Sequence, residues 1–209
     1  MEYETVDSLD RLSELYEAPM ELALRKEKTE LDKFSIQFLE LSAFSVISTS
    51  SADGSMDCSP RGDYPGFIQV LSRQTVAIPD RPGNNRLDSL RNIVENPAIG
   101  ILALVPGFSE CLRINGAAKI VTNEDVLALF EYKGKLPKSV IVVEIQEIYF
   151  HCAKAIVRSR LWKVESQINR SVMPSLGKIL MTQIDSSKST NEIELVEKAI
   201  ADREKNTLY

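Results

Sequence analysis

The spacing of hydrophobic and polar residues divides the chain into a helical beginning, a strand-rich middle and a helical end. Within residues 1–42, apolar side chains recur at helical spacing between Leu9 and Tyr16. Thr29 and Asp32 resemble a capping box, so a further helix is expected to begin there. We therefore predict an N-terminal helical segment, residues 1–42, that packs on the domain that follows it.

The middle of the chain, residues 43–162, consists of short runs rich in β-branched residues and bounded by turn signals. These runs predict about six or seven strands, one of them interrupted by a bulge at Asn115 and Gly116. One helix, capped by Asn85 with Asp88 three residues later, lies between the hairpins. Because most neighbouring strands join by short turns, the predicted class is α+β: a mainly β, largely antiparallel barrel, closed or split, with flanking helices.

The last part of the chain, residues 163–209, carries two amphipathic stretches, Met173–Gln183 and Ser189–Lys205, with a polar linker between them. The second stretch is weakly apolar, so a helix there needs a partner surface to stay folded. Its own barrel and a second subunit are both candidates for that surface. We therefore predict a C-terminal helical tail.

Composition and charge narrow the classes of partner. The 209 residues are 44% hydrophobic and 26% charged, as in ordinary globular proteins. The formal net charge of −5 opposes binding to nucleic acid or to an anionic membrane. The longest apolar run, residues 98–106, is too short to span a bilayer. We expect a cytoplasmic protein with no nucleic-acid or membrane partner.

The cysteines do not indicate a metal site. Cys58, Cys111 and Cys152 are widely spaced, and they form neither a disulfide framework nor a zinc signature. No metal is therefore predicted, and a reducing compartment is expected. We interpret Cys152 as a buried, small apolar residue rather than a nucleophile.

Two loops carry the chemistry that points to a ligand. Ser59–Phe67 and Ile78–Arg91 both combine glycine, proline and arginine at the ends of apolar runs, and the second also contains two asparagines. Such loops bring backbone donors and fixed cations together around an anionic, planar ligand. The second loop runs into a helix start, which is a natural anion site. This combination suggests a cofactor that carries a phosphate.

Several spaced motifs, in this order, resemble the pyridoxamine 5′-phosphate oxidase-like flavoproteins, and among them an FMN-dependent subgroup. The resemblance runs from about residue 30 to Trp162, and Leu208-Tyr209 also resembles the subgroup's ending. It implies an antiparallel split barrel that pairs as a homodimer, with FMN bound at the subunit interface. The motifs are Ser59–Asp63, Ile78–Arg86, Leu112–Gly116 and His151–Trp162.

The resemblance also implies which residues hold the cofactor. Asn84, Asn85 and Arg86 correspond to the family's phosphate-binding position, and a second cation is expected from Arg61 or Arg81. The alternative is that Asn85 only caps the helix and Arg86 is a solvated surface residue. The isoalloxazine ring is expected along one strand and beside the next, in contact with Ser59, Pro60, Arg61, Gly62, Asp63, Ile78 and Pro79. Arg61 is alternatively a structural partner of Asp63.

A further strand contributes two candidate positions. Cys111 and Arg113 lie on one face by alternation. The resemblance places Cys111 where the oxidases carry a glutamine that contacts the cofactor, but cysteine is a poor donor. Arg113 is a candidate to stabilise the reduced flavin at its N1/C2 edge, with an ordinary salt bridge as an equal alternative.

The remaining candidates belong to a lid or a substrate site. His151, Lys154 and Arg158 are spaced to share one helical face, which would close over the flavin or bind a substrate anion. The alternative is that this face packs against acidic loops. Trp162 is a candidate to stack at the ring edge, with packing in the core as the favoured alternative.

The resemblance implies an FMN-dependent oxidoreductase that moves electrons or hydride between a reductant and a small molecule or dioxygen. No G-x-G-x-x-G occurs, so a nicotinamide would be a visiting substrate. No histidine follows residue 160, which argues against vitamin B6 oxidation. The alternatives are a non-catalytic protein that binds flavin or haem for storage or sensing, and a protein that binds a deazaflavin.

Overall fold

Seven strands form one antiparallel sheet in the computed structural model, which describes all 209 residues. Their order across the sheet is β2-β1-β5-β6-β7-β4-β3. The strands are β1 (Phe44–Ser50), β2 (Met56–Gly62), β3 (Gln69–Ser72), β4 (Thr75–Pro79), β5 (Ala98–Leu104), β6 (Cys111–Val121) and β7 (Val140–His151). The helices are α1 (Leu9–Leu15), α2 (Glu21–Arg25), α3 (Lys33–Leu41), α4 (Asp88–Glu95), α5 (Glu124–Ala128), α6 (Lys154–Ser159), α7 (Leu176–Ile184) and α8 (Thr190–Asn206).

The sheet is open because its edge strands, β2 and β3, do not pair with each other. This is the predicted split barrel, and the prediction of antiparallel pairing is confirmed throughout. The edge strand β2 contains Pro60, opposite Val46 of β1. An edge strand accommodates proline because only one side of the strand donates to a ladder.

Alternation of side chains places the core on one side of the sheet. Strands β1 and β5 bury every second residue, whereas the first four residues of β7, Val140–Val143, are all buried. Helix α3 covers the core with Phe38 and Leu39, and α4 covers it with Ile93. The helices α1 and α2 contain no buried residue. None of the helices combines the length and hydropathy needed to cross a bilayer.

The predicted bulge in the longest strand pair is confirmed. The register between β6 and β7 shifts between Asn115 and Gly116. A Cβ at Gly116 would collide with the main-chain carbonyl of Glu144. Only glycine therefore lets the two backbones approach this closely.

The predicted start of α3 is wrong, because the helix begins three residues later than expected. Asp32, not Thr29, is the N-cap, and it accepts hydrogen bonds from the main-chain N–H of Phe34 and of Ser35 at 3.0 and 2.9 Å. Ser35 completes the capping box by accepting from the N–H of Asp32 at 2.8 Å. A serine at N3 thus fills the position where the sequence pattern looks for an acid.

The predicted start of α4 is also wrong. Asn85 does not cap the helix, because Asn85 and Leu87 both adopt left-handed backbone conformations, with φ of 60° and 62°. Helical geometry therefore begins only at Asp88. Asn84 instead closes the loop, because its Oδ1 accepts a hydrogen bond from the N–H of Arg86 at 3.0 Å.

Both predicted tail helices form, and they pack against each other. Gly177 of α7 allows the close approach, since a Cβ there would lie 2.7 Å from Cγ of Glu197. Helix α8 begins with a capping box of Ser189 and Glu192. Beyond its end the chain returns to the barrel, where the hydroxyl of Tyr209 donates to Asp63. The tail therefore reaches the loop that follows β2.

Candidate functional site

A cleft of about 500 Å³ opens between the edge strand β2, the end of β4 and the start of α4. This volume lies in the range of small-molecule sites. The residues of both loops singled out in the sequence meet here. Nine of the predicted cofactor-binding residues line the cleft: Ser59, Pro60, Arg61, Gly62, Pro79, Arg81, Asn84, Asn85 and Arg86.

Positive charge dominates the lining. Five cations face two carboxylates, Asp80 and Asp88, although the chain as a whole carries a net charge of −5. The cleft is therefore a local site for an anion on an acidic protein. The five cations are Arg61, Arg81, Arg86, Lys138 and Arg203.

Arg61 is held in place by a short polar network. Its Nη2 donates to Oγ of Ser89 at 3.1 Å, and Ser89 in turn donates to Asp57 at 2.5 Å. Its Nη1 donates to the carbonyl of Pro60 at 3.0 Å. The Nε atom of Arg61 is buried and has no hydrogen-bond partner. Burial lowers the pKa of Arg61, and the carboxylates of Asp80 and Asp57 oppose that shift.

Asp80 lies in the same half-buried part of the cleft. Burial raises the pKa of its carboxyl group, whereas Arg61 and Lys138 act in the opposite direction. This acid thus offsets part of the local positive charge without forming a direct ion pair with either cation.

Two of the five cations are already paired. Nε of Arg81 lies 2.6 Å from Oδ2 of Asp63, and its Nη1 donates to the carbonyl of Phe130 at 2.8 Å. The alternative pairing of Arg61 with Asp63 does not occur. Arg86 forms an exposed ion pair with Asp88.

Two residues that were predicted to contact the cofactor, Ile78 and Asp63, do not line the cleft. Ile78 is fully buried in the hydrophobic core, so its side chain does not line the cleft. The carboxylate of Asp63 is 3% exposed and lies behind the cleft, where it orients Arg81. Both residues support the walls without facing the cleft interior.

Cys111 and Arg113 lie outside the cleft, on strand β6. Cys111 is buried, and burial raises the pKa of its thiol. Arg113 pairs with Glu147 at 2.9 Å and donates to the hydroxyl of Tyr149 at 2.7 Å. The salt bridge weighed as the alternative for Arg113 is therefore present.

The predicted helical face of His151, Lys154 and Arg158 does not form. His151 is the last residue of β7, because it pairs with Cys111 across the sheet, and α6 begins only at Lys154. Burial, followed by the charges of Lys26 and Arg113, lowers the pKa of His151. None of the three predicted lid residues lines the cleft.

Two further expectations are wrong. Trp162 is 36% exposed rather than in the core, and its indole N–H donates to the carbonyl of Phe108 at 2.6 Å. It does not line the cleft either. Cys152 is exposed rather than buried, because it follows the end of β7 and precedes α6.

The structure adds lining residues that sequence reasoning missed. Ser89 lies within the second of the two loop segments, Ile78–Arg91, and its position in the first turn of α4 was the one available signal. Lys138 reaches the cleft because the start of β7 pairs with the end of β4. Arg203 and Thr207 come from the tail. Strand pairing and tail docking have no local sequence signal.

Residues 31–152, more than half of the chain, match the family model described as pyridoxamine 5′-phosphate oxidase. The comparison with curated proteins finds no significant match.

Solved structures with related architecture have low sequence identity. HupZ from Group A Streptococcus is 16% identical, with a TM-score of 0.48 over 57% of this chain and 93% of that chain. An FAD binding protein from Mycobacterium smegmatis is 20% identical, with a TM-score of 0.41 over 59% and 97%. HutZ, a haem storage protein from Vibrio cholerae, is 17% identical, with a TM-score of 0.40 over 55% and 89%.

All three TM-scores lie below 0.5, so the assignment rests on the family model together with the sheet described above. The matched residues contain all seven strands of the open antiparallel barrel, from β1 to the end of β7. They also contain both loops that form the cleft. The chain therefore belongs to the pyridoxamine 5′-phosphate oxidase family.

Proposed function

We propose that the cleft binds FMN and that the protein is an FMN-dependent oxidoreductase acting on a small molecule. The observation that carries this proposal is the Nε–H of Arg61, a buried cationic donor without a partner in a cleft lined by further cations. A buried donor that is left unsatisfied costs free energy, and a phosphate oxygen would satisfy it.

The two ends of the cleft suit the two ends of FMN. Arg61, Arg86 and Lys138 supply cationic donors for a phosphate. Strand β2 lies at the sheet edge, so one side of its backbone from Ser59 to Gly62 has no strand neighbour. These outward groups are suited to the carbonyl and nitrogen edge of the flavin ring.

The lining favours a flavin over haem. Haem iron in proteins is held by histidine, cysteine, methionine or tyrosine side chains. Within one chain, no residue of these four types lines the cleft. The single histidine, His151, lies at the end of β7 outside it.

Bound FMN would supply the hydride and electron transfer itself. The protein's own residues bind and orient in this proposal. Arg61 and Lys138 balance the negative charge of the phosphate, and the buried pair of Arg81 and Asp63 keeps the wall rigid.

A homodimer is part of the proposal. Cys111 and Arg113 belong to a flavin site only if a second subunit brings them to the cleft, since they do not line it within one chain. Apolar side chains exposed near the sheet, such as Phe34, Phe44 and Met56, support burial against a second copy.

The visible absorption spectrum of purified protein, with and without added FMN, tests the proposal. Flavin bands that remain with the protein through gel filtration, and that bleach on addition of NAD(P)H, are the expected result. Bound flavin that no reductant bleaches would indicate storage or sensing. Weak FMN retention with tight deazaflavin binding, or failure to take up either, would contradict the choice of FMN.

A further inference from the structure

We propose that Arg203, carried by the C-terminal helix α8, is a direct ligand for the anionic end of the molecule bound in the cleft. Its role would be to select phosphorylated over unphosphorylated ligands. This inference rests on the proposed function, since it names a binding residue and a source of specificity for the same site.

The position of Arg203 is fixed at the cleft rim. Its Nη2 donates to the carbonyl of Gly83 at 2.6 Å, in the loop that precedes α4. One turn further on, the hydroxyl of Thr207 donates to the carbonyl of Arg203 at 2.8 Å. Arg203 and Thr207 both line the cleft. The tail therefore forms one wall of the site.

Arg203 differs from Arg81 and Arg86 of the cleft because it forms no ion pair. Arg81 and Arg86 each form an ion pair with an aspartate, whereas Arg203, Arg61 and Lys138 form none. Three cations without an ion-pair partner thus converge on one cleft in an acidic chain. A multiply charged anion bound among them would supply the opposite charge that none of the three has in an ion pair.

Contacts of Tyr209 hold the end of α8 in this position. Its hydroxyl donates to Oδ1 of Asp63 at 2.8 Å, and Nζ of Lys135 donates to its carbonyl at 2.8 Å. Its ring lies 4.2 Å from the ring of Tyr132, centroid to centroid, and 5.4 Å from the guanidinium carbon of Arg81. Tyr209 is thus a positioning residue for Arg203.

The cationic donors of the cleft favour a phosphate monoester as the ligand group. Such a group presents three oxygens and up to two negative charges, and arginine forks match its geometry. Donors from Arg61 of strand β2 and Arg203 of helix α8, which line the same cleft, would hold different oxygens of one phosphate. Removing Arg203 should therefore weaken binding of the phosphorylated ligand alone.

The test compares FMN with riboflavin, which lacks the phosphate, by fluorescence titration of the full chain. In Arg203→Ala and Arg203→Gln, the Kd for FMN should rise about tenfold, as for loss of one charge-assisted contact, with the Kd for riboflavin unchanged. Lys205→Ala, a loss of charge on the same helix outside the cleft, should change neither value. Tyr209→Phe should weaken FMN binding by a smaller factor than Arg203→Ala, again without an effect on riboflavin.

Three results would overturn the inference. An unchanged Kd for FMN in both Arg203 variants would remove Arg203 from the site. Equal weakening of FMN and riboflavin would make the tail a wall without a role in anion binding. Wild-type protein that binds neither molecule would instead refute the proposed function, and this inference with it.

Discussion

The guanidinium of Arg81 and the carboxylate of Asp63 form an ion pair of 2.6 Å in which the Asp63 side chain is 3% exposed. The pair joins the loop after β2 to the loop after β4. Asp63 also accepts the hydroxyl of Tyr209, so three distant parts of the chain meet at one carboxylate. The pair therefore braces the cleft walls from behind.

Asp63→Ala should strongly destabilise the protein, because it leaves the half-buried Arg81 without its partner. We expect a loss of about 3–5 kcal/mol in the free energy of unfolding, measured by urea denaturation. Glu30→Ala removes the exposed ion pair with Arg73 and should cost less than about 1 kcal/mol. Similar losses in the two variants would contradict a structural role for the buried pair.

Arg61→Ala should weaken FMN binding about tenfold or more, since a charge-assisted contact contributes roughly 1.5–3 kcal/mol. Flavin fluorescence quenching measures the affinity. Arg73→Ala is the matched control, because Arg73 is an exposed arginine that does not line the cleft. Unchanged affinity in Arg61→Ala would remove the observation on which the proposed cofactor depends.

Gly116→Ala should destabilise the barrel, because its Cβ would meet the carbonyl of Glu144 across β6 and β7. Overpacking of this kind costs about 1–3 kcal/mol, which thermal unfolding should report as a lower Tm. Gly83→Ala is the control, since no atom lies within 4 Å of where its Cβ would stand. If both variants melt like the wild type, the close approach at the bulge is not needed.

The charge of Arg113 should hold the pKa of His151 down. Burial, Lys26 and Arg113 lower this pKa from its ordinary value of 6.5. The unfolded chain therefore takes up a proton before the folded chain does, and stability falls as the pH drops from 6.5 through the folded pKa. Arg113→Gln should raise the pKa and reduce that loss.

NMR titration of the single histidine ring measures this shift directly, because no other histidine signal overlaps it. Arg91→Gln, an exposed change on α4, should leave the titration as in the wild type. A pKa of His151 that stays the same in Arg113→Gln would mean that burial and Lys26 lower it without a contribution from Arg113.

Local patterns were sufficient for the barrel and for the two loops that form the cleft. Strand alternation, turn residues and the glycine at 116 all act within a few residues, so the sequence expresses them directly. The predicted start of α4 was wrong because the loop as a whole sets the left-handed backbone of Asn85 and Leu87. The prediction that His151 lies on a helix was wrong, because cross-strand pairing with Cys111 keeps this residue extended.

The missed cations have a different cause. Lys138 and Arg203 come from parts of the chain remote from the two loops, and only strand pairing and docking of α8 bring them to the cleft. No spacing rule connects positions so far apart. Apart from Leu208-Tyr209, the family resemblance ends near Trp162, so it gives no information on where Arg203 lies.

Pro60 has a consequence for how molecules of this protein behave at high concentration. It lies in the edge strand β2, where an unpaired backbone would otherwise be a template for strands of other molecules. Without an N–H, Pro60 interrupts any ladder that starts to form along this edge. The strand that borders the cleft is thus protected from edge-to-edge aggregation while it remains open to a small molecule.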